Sequence, residues 1–453
     1  MLMRLSTCVM ALIFALLSCT SGDNAEAQQK ISQFERAGLC DLLIDKAGVY
    51  HAVFQESPAI GKPMFIYYSS SANKGASWSK PVNISNDNTG NGAGYPRILQ
   101  DGSGRIYAIW KRYGTTTSRY PIPDVILDGP GGYTVGTIFY KTLSGNNWSN
   151  AVQLNESEGA QNTWFATLTP QGTVQVYWAQ ASPESIKNNW LTWYFCDFLR
   201  CTTLNGSAHT GFVDLSTPSQ PAYAGGAPPK EGAINLQGYV DQSGVPHLVF
   251  EEAPVDVQVI KYFDGKTTKI VYTYPLYNAG NTFHYPAKLL VDERGTDHLL
   301  FKPSPATLES EQIWDMNLAT NQTNILAAIQ KKGVTISNFQ AVQGPGGSMA
   351  VTFEAGTISG NTEAYGSYYQ GGSWKNVALT NNAGKEEFFT TEFRGLGGYR
   401  TTLSTLTKYN SKFGAVAYDG SGKKSMLMTI AAYWSAGGYN TSDPSIVFVP
   451  IDR

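Results

Sequence analysis

Leu42-Leu43-Ile44-Asp45-Lys46-Ala47-Gly48-Val49-Tyr50-His51-Ala52-Val53-Phe54 reads as an apolar strand, an Asp-to-Gly turn and a second strand that ends in an aromatic residue. The same form recurs at residues 98–110 around Gly104, 166–178 around Gly172, 238–250 around Gly244, 289–301 around Gly295 and 341–353 around Gly347. A weaker seventh copy covers residues 403–418, turning near Asn410 and Ser411. The first six marker glycines are 56, 68, 72, 51 and 52 residues apart, which is room for one four-stranded antiparallel sheet per repeat. A second strand pair follows the first in several copies, as in 65–68 with 81–84 and 137–140 with 151–154. Self-similarity at a recurring spacing marks a repeat architecture, and a radial arrangement of sheets protects their edges. The expectation is an all-β chain forming a β-propeller of seven blades of four antiparallel strands. A six-bladed ring is the alternative, and the closing strand is either residues 445–451 or the segment after Gln29.

Composition agrees with many tight turns and few charges. The 453 residues include 46 glycines and 22 prolines, charged residues make up 15% and aromatics 12%, and the net charge is -2. Ordinary globular chains carry about 25% charged residues. This balance excludes coiled coils, charged disordered tails and a nucleic-acid binder, which needs clustered positive charge.

The N-terminus reads as an export signal. Arg4 precedes an apolar run from Val9 to Leu17, followed by small and polar residues, a run too short for a stable membrane span. Leu16-Leu17-Ser18-Cys19 resembles the lipobox of bacterial lipoproteins, in which the cysteine is lipidated, while Ala25-Glu26-Ala27 offers a competing cleavage site after Ala27. Residues 1–28 are therefore expected to be a signal peptide and 29–453 a single propeller domain. The mature chain is expected outside the cytoplasm, where disulfides persist. It would be lipid-anchored at the cell envelope or secreted, touching membrane only through the anchor. Cys196 and Cys201 are spaced to suit a disulfide across a hairpin turn, leaving Cys40 as a buried thiol.

One hairpin carries a more specific motif. Ser71-Ala72-Asn73-Lys74-Gly75-Ala76-Ser77-Trp78 resembles the Asp box, the S-x-D/N-x-G-x-S/T-W hairpin of bacterial neuraminidase (BNR) repeats, with degenerate copies at 144–148 and 370–374. Asn73 can fold back onto backbone N–H groups, Gly75 can take a positive φ and Trp78 can pack beneath the hairpin. The resemblance implies a sialidase-like propeller acting on glycans, with the box itself a folding element remote from the chemistry. Sialidases need an arginine triad whose first member opens an R-I-P motif. Here Gly94-Tyr95-Pro96-Arg97-Ile98 aligns the proline and puts Gly94 at the arginine position. Tyr399, in Gly398-Tyr399-Arg400-Thr401-Thr402-Leu403, resembles the setting of the sialidase nucleophile. The lost arginine points away from a true sialidase.

In a four-stranded blade the first strand begins, and the second ends, at the functional end. Candidate catalytic residues at those positions are His284, Tyr285, Glu251 and Tyr399, because a shielded carboxylate, imidazole or phenol can move protons. Arg97, Arg112, Arg119, Lys288 and Arg400 are candidates to hold an anionic sugar carboxylate, which arginine matches in a bidentate fork, and Trp164 offers a sugar-stacking platform. His51, His247 and His298 each follow their marker glycine by three residues, a recurrence that suits a repeat consensus within a strand better than catalysis. Nothing resembles a phosphate loop or a zinc site. No cofactor is expected, and a structural calcium is compatible with the sequence.

Two readings remain open. The first is a glycoside hydrolase or polysaccharide lyase acting on an anionic polysaccharide or glycoconjugate. The second is a non-catalytic, lectin-like or interaction propeller using its Trp and Tyr residues as platforms.

Overall fold

The computed structural model describes residues 29–450 apart from 35, 60–61, 87–91, 118–133, 156–159, 181–197, 216–233, 253–258, 275–286, 304–311, 329–334, 345–346, 357–361, 371–372, 379–386, 395–399, 419–423 and 437–438. The chain is a β-propeller of six blades, each of four antiparallel strands. Blade 1 comprises Arg36–Ile44, Tyr50–Ser57, Phe65–Ser71 and Val82–Asn83. Blades 2 to 6 repeat that order over residues 93–153, 160–214, 234–273, 288–328 and 335–378. In blades 2 and 3 the outermost strand is split into two short pieces on the same neighbour.

The turn between first and second strands has a common chemistry. Oδ1 of Asp45, Asp101, Asp241 and Asp292 accepts the backbone N–H groups two and four residues ahead. The marker glycines hold φ between 74 and 89°, a left-handed conformation that costs other residues about 1–2 kcal/mol. Second strands lie between layers on both faces. In blade 1 every residue of Tyr50–Ser57 is buried, and each interface between blades holds an apolar cluster such as Val53, Ile66, Ile98 and Trp110.

The expected seventh blade is not formed. Arg400–Tyr418 is one continuous strand in which Asn410 pairs with Ala431 and Ser411 with Ile430, so the turn expected there does not exist. The six real turns each have a glycine in the left-handed region, whereas Asn410-Ser411 has none. These residues instead belong to a long-stranded ribbon of Glu387–Arg394, Arg400–Tyr418, Lys424–Ala436 and Tyr439–Pro450, which joins blade 6 through a parallel bridge between Thr362 and Asn410. Strand Arg400–Tyr418 packs between the first strands of blades 6 and 1 and completes the ring. The two candidate closing segments pair with each other, Gln29 with Phe448 and Lys30 with Val447. Phe448 and Ile446 then enter the core of blade 1 beside Tyr50 and Ile44.

The hairpin at residues 71–78 is closed by its own side chains. Asn73 Oδ1 accepts Ser77 N–H, Ser71 Oγ accepts Gly75 N–H, and Trp78 lies against Phe448 at 5.5 Å.

Candidate functional site

The first strands of neighbouring blades pack side by side around the central axis. Seven residues before each marker glycine stand Asp41, Arg97, Phe165, Gln237, Lys288 and Gln340, one per blade. Each pairs with the residue five positions after its glycine, so the six share one level of the ring. In the first strands of blades 1, 2, 3, 4 and 6 a register shift falls just before this level. β-Bulges of this kind re-aim side chains and recur beside functional sites.

Three charged members of this ring and one neighbour form an axial cluster. Asp41 Oδ2 accepts the Ile98 N–H at 3.0 Å, and its carboxylate lies 3.9 Å from Arg97 Nη1. Burial lifts the Asp41 carboxyl above its usual range against the opposing pull of Arg97. Arg97 keeps 35% of its side chain exposed, whereas Lys288 is enclosed. Burial, then the Arg97 guanidinium, pulls the Lys288 ammonium down to about 7, while Glu251 works the other way. Glu251 is fully buried at the end of the second strand of blade 4 and accepts the Ala287 N–H at 3.3 Å. The arrangement places an amine poised near neutrality, a guanidinium open to solvent and two carboxylates at the upper end of the axis, where first strands begin. Cys40 stands next to Asp41, and burial pushes its thiol far up, so it is no nucleophile at neutral pH.

Two further buried groups stand at or just beyond the ends of second strands. Lys302, just beyond the second strand of blade 5, donates from Nζ to the Ile336 carbonyl at 2.7 Å and is pulled down to about 8 by burial. Glu56 accepts the Phe34 N–H and is pushed up to about 7, again by burial.

The structure therefore brings together Arg97, Lys288 and Glu251 from the sequence candidates, and it separates others from them. Arg112 lies over the Phe139 ring of its own blade at 4.3 Å. Trp164 is 4% exposed in the core between blades 2 and 3, with Tyr140 and Leu154, so it packs the scaffold and offers no platform. Arg400 opens the ribbon strand opposite Arg394. His284, Tyr285, Tyr399, Arg119, Cys19 and Cys196 lie outside the described residues. Cys201 carries a free thiol. Strand Phe198–Asn205 runs through Leu199 and Arg200, where the bridging hairpin would have to turn. Sequence reasoning missed Asp41, although it shares the seven-residue offset of Arg97 and Lys288 and that offset alone would have found it.

No known protein family matches the chain, and no curated protein matches it. The similar solved structures are distant. A protein of unknown function from Dyadobacter fermentans is 12% identical at a TM-score of 0.42, over 93% of this chain and 98% of its own. The Hadza microbial sialidase Hz136 is 11% identical at 0.39, over 93% of this chain and 66% of its own. The Penicillium chrysogenum α-L-arabinanase is 12% identical at 0.42, over 73% and 93%. Similarity this distant assigns no activity to the chain.

Proposed function

We propose that this chain is an extracytoplasmic, lipid-anchored or secreted, carbohydrate-active propeller that cleaves an anionic glycan by β-elimination at the upper end of its axis. The observation that carries the reading is the enclosed Lys288 amine beside the Arg97 guanidinium and the buried Glu251. Arg97, the solvent-facing member, holds the uronate carboxylate and offsets charge that develops on it. Lys288, uncharged in a large fraction at neutral pH, takes the proton α to that carboxylate. A C=C bond forms as the C–O bond to the departing sugar breaks, Glu251 in its protonated form gives its proton to the leaving oxygen, and return of a proton from the Lys288 ammonium to the Glu251 carboxylate resets the pair. Asp41 orients Arg97. Support for a carbohydrate substrate comes from the BNR-type hairpin at 71–78, and support for export comes from the signal-like residues 1–28.

The test is a panel of polyuronates and sialylated glycans, read both by the ultraviolet absorbance of unsaturated uronate ends and by reducing-end release. The expected result is absorbance that appears with a polyuronate and vanishes in Lys288→Met. Reducing ends without absorbance would make the enzyme a hydrolase. Glycan-array binding without either signal would leave a lectin.

A further inference from the structure

At the opposite, lower end of the blades, three of the marker turns present a histidine three residues after the glycine. In each, Nε2 faces the aspartate that opens its own turn, at 3.2 Å for His51 and Asp45, 3.4 Å for His247 and Asp241, and 3.5 Å for His298 and Asp292. The last of these is an ion-pair distance rather than a hydrogen bond. The second ring nitrogen distinguishes them. His51 Nδ1 meets the Tyr68 hydroxyl at 2.8 Å, within its own blade. His247 Nδ1 meets the Tyr262 hydroxyl at 2.6 Å and Asp297 Oδ2 at 3.2 Å, and Asp297 belongs to blade 5. His298 Nδ1 meets Asp315 Oδ1 at 2.8 Å, and the other oxygen of Asp315 accepts the indole N–H of Trp374, in blade 6, at 2.9 Å.

We propose that His247 and His298 are proton-operated clasps that fasten blade 5 to blades 4 and 6, tight when each imidazole is charged between two carboxylates and slack when it is neutral. Between two aspartates an imidazolium donates from both nitrogens to charged acceptors. Neutral imidazole has one N–H and leaves one of its two carboxylates without its donation. The groups around each ring support the charged form. Around His247 are Asp241, Asp297, Tyr239 and Tyr262, with Lys269 over the far ring of Tyr262 and Asp264 acting on that phenol. Around His298 are Asp292, Asp315 and the Tyr369 ring at 5.4 Å, with Glu293 and Arg294 near that ring. Among the described residues, Asp45 is the one carboxylate paired with His51, and Tyr68 stacks on its ring.

The titration directions follow this division. The hydrogen bond to Asp297 lifts His247 above its ordinary value. Burial opposes the charge on His298, but Asp315 and Asp292 together outweigh it. Burial lowers His51, and Asp45 does not make up the difference. A histidine with a raised folded-state pKa adds stability that is complete below the ordinary value of about 6.5 and is lost as pH rises through the folded value. For His51 the sense is reversed, and stability is lost as pH falls below that value.

The test compares melting temperature against pH, from mildly acidic to mildly alkaline, for the wild type, His298→Gln, His247→Gln, Asp315→Asn and His51→Gln. The expected result is that the first two variants and Asp315→Asn lose a fall in melting temperature that the wild type shows on crossing neutrality. His51→Gln should make that fall steeper. Unchanged pH dependence in the two histidine variants overturns the proposal. If those variants do not fold, a histidine-resolved NMR titration of the wild type decides. His247 and His298 titrating above His51 upholds the clasps, and the reverse order overturns them.

Discussion

The two ends of the propeller axis carry similar side chains in opposite electrostatic condition. At the upper end, Lys288 is held at about 7, Lys302 at about 8 and Glu56 at about 7, and Asp41 is raised, so every shift favours the uncharged form. At the lower end, Asp101, Asp241, Asp292 and Asp297 are lowered while His247 and His298 are raised, shifts that favour the charged form, and His51, with less support from carboxylates, is lowered. Both sets include buried groups, so burial alone does not decide. The lower carboxylates each receive several backbone or side-chain donors. At the upper end desolvation exceeds the compensation available from partners. Groups held off their ordinary pKa by desolvation are suited to moving protons, and groups fixed by partners are suited to holding blades together.

The largest effect that could break this comparison lies at the upper end. Glu251→Gln should lower kcat by about 10²- to 10⁴-fold, the scale of a lost general acid or base, with melting temperature unchanged or raised. Equal activity in the variant, measured on the responsive polyuronate, would remove Glu251 from the chemistry. The lower end should respond in stability instead. A Cβ at Gly347 would lie 2.0 Å from the Glu293 backbone at a φ of 74°, so Gly347→Ala should cost more than about 2 kcal/mol in denaturant unfolding. Gly48→Ala has the same kind of φ with nothing within 4 Å and should cost only about 1 kcal/mol. Similar losses in the two would show that packing between turns contributes nothing.

A third prediction sharpens the upper end without touching the proposed chemistry. Glu56 has a folded-state pKa of about 7 against an ordinary 4.5, so its charge penalty grows as pH rises from 4.5 towards 7. Glu56→Gln should therefore gain about 1–3 kcal/mol over wild type at neutral pH, and the gain should fade towards pH 4.5. A gain that does not vary with pH would mean the carboxylate is not the cause. The smallest effect belongs to Arg112→Leu, which removes a cation–π contact worth about 0.5–1 kcal/mol and should leave turnover intact. A loss of turnover there would extend the site outward from the axis.

Much of this division was legible in the sequence through one register. The six marker glycines fall one to each blade, although the weaker copy at 403–418 led to an expectation of seven, and the strand starts they mark include Arg97 and Lys288. The same seven-residue count back from the marker glycine reaches Asp41, which sits inside an apolar-looking strand between Cys40 and Leu42. Trp164 stands one position earlier in the register than Phe165, and the two side chains enter the cores on opposite faces of blade 3. No count along one chain distinguishes the two faces without knowing where the bulge falls. The seventh repeat misled because pairing with Lys424–Ala436 continues straight through Asn410 and Ser411, where no glycine allows the expected turn. The pairing of His247 with Asp297 depends on which blades are neighbours, and that is a property of the closed ring.

The pairing of Gln29 with Phe448 ties together positions 419 residues apart. During synthesis from the N-terminus, blade 1 is complete in its own strands long before Ile446 and Phe448 exist to cover Tyr50 and Ile44. Its outer flank stays apolar and open until the last strand arrives, the condition under which partly made chains associate with one another. Ring closure by this pairing therefore follows the making of every blade, and the interval before it is when the open flank of blade 1 is most exposed to association.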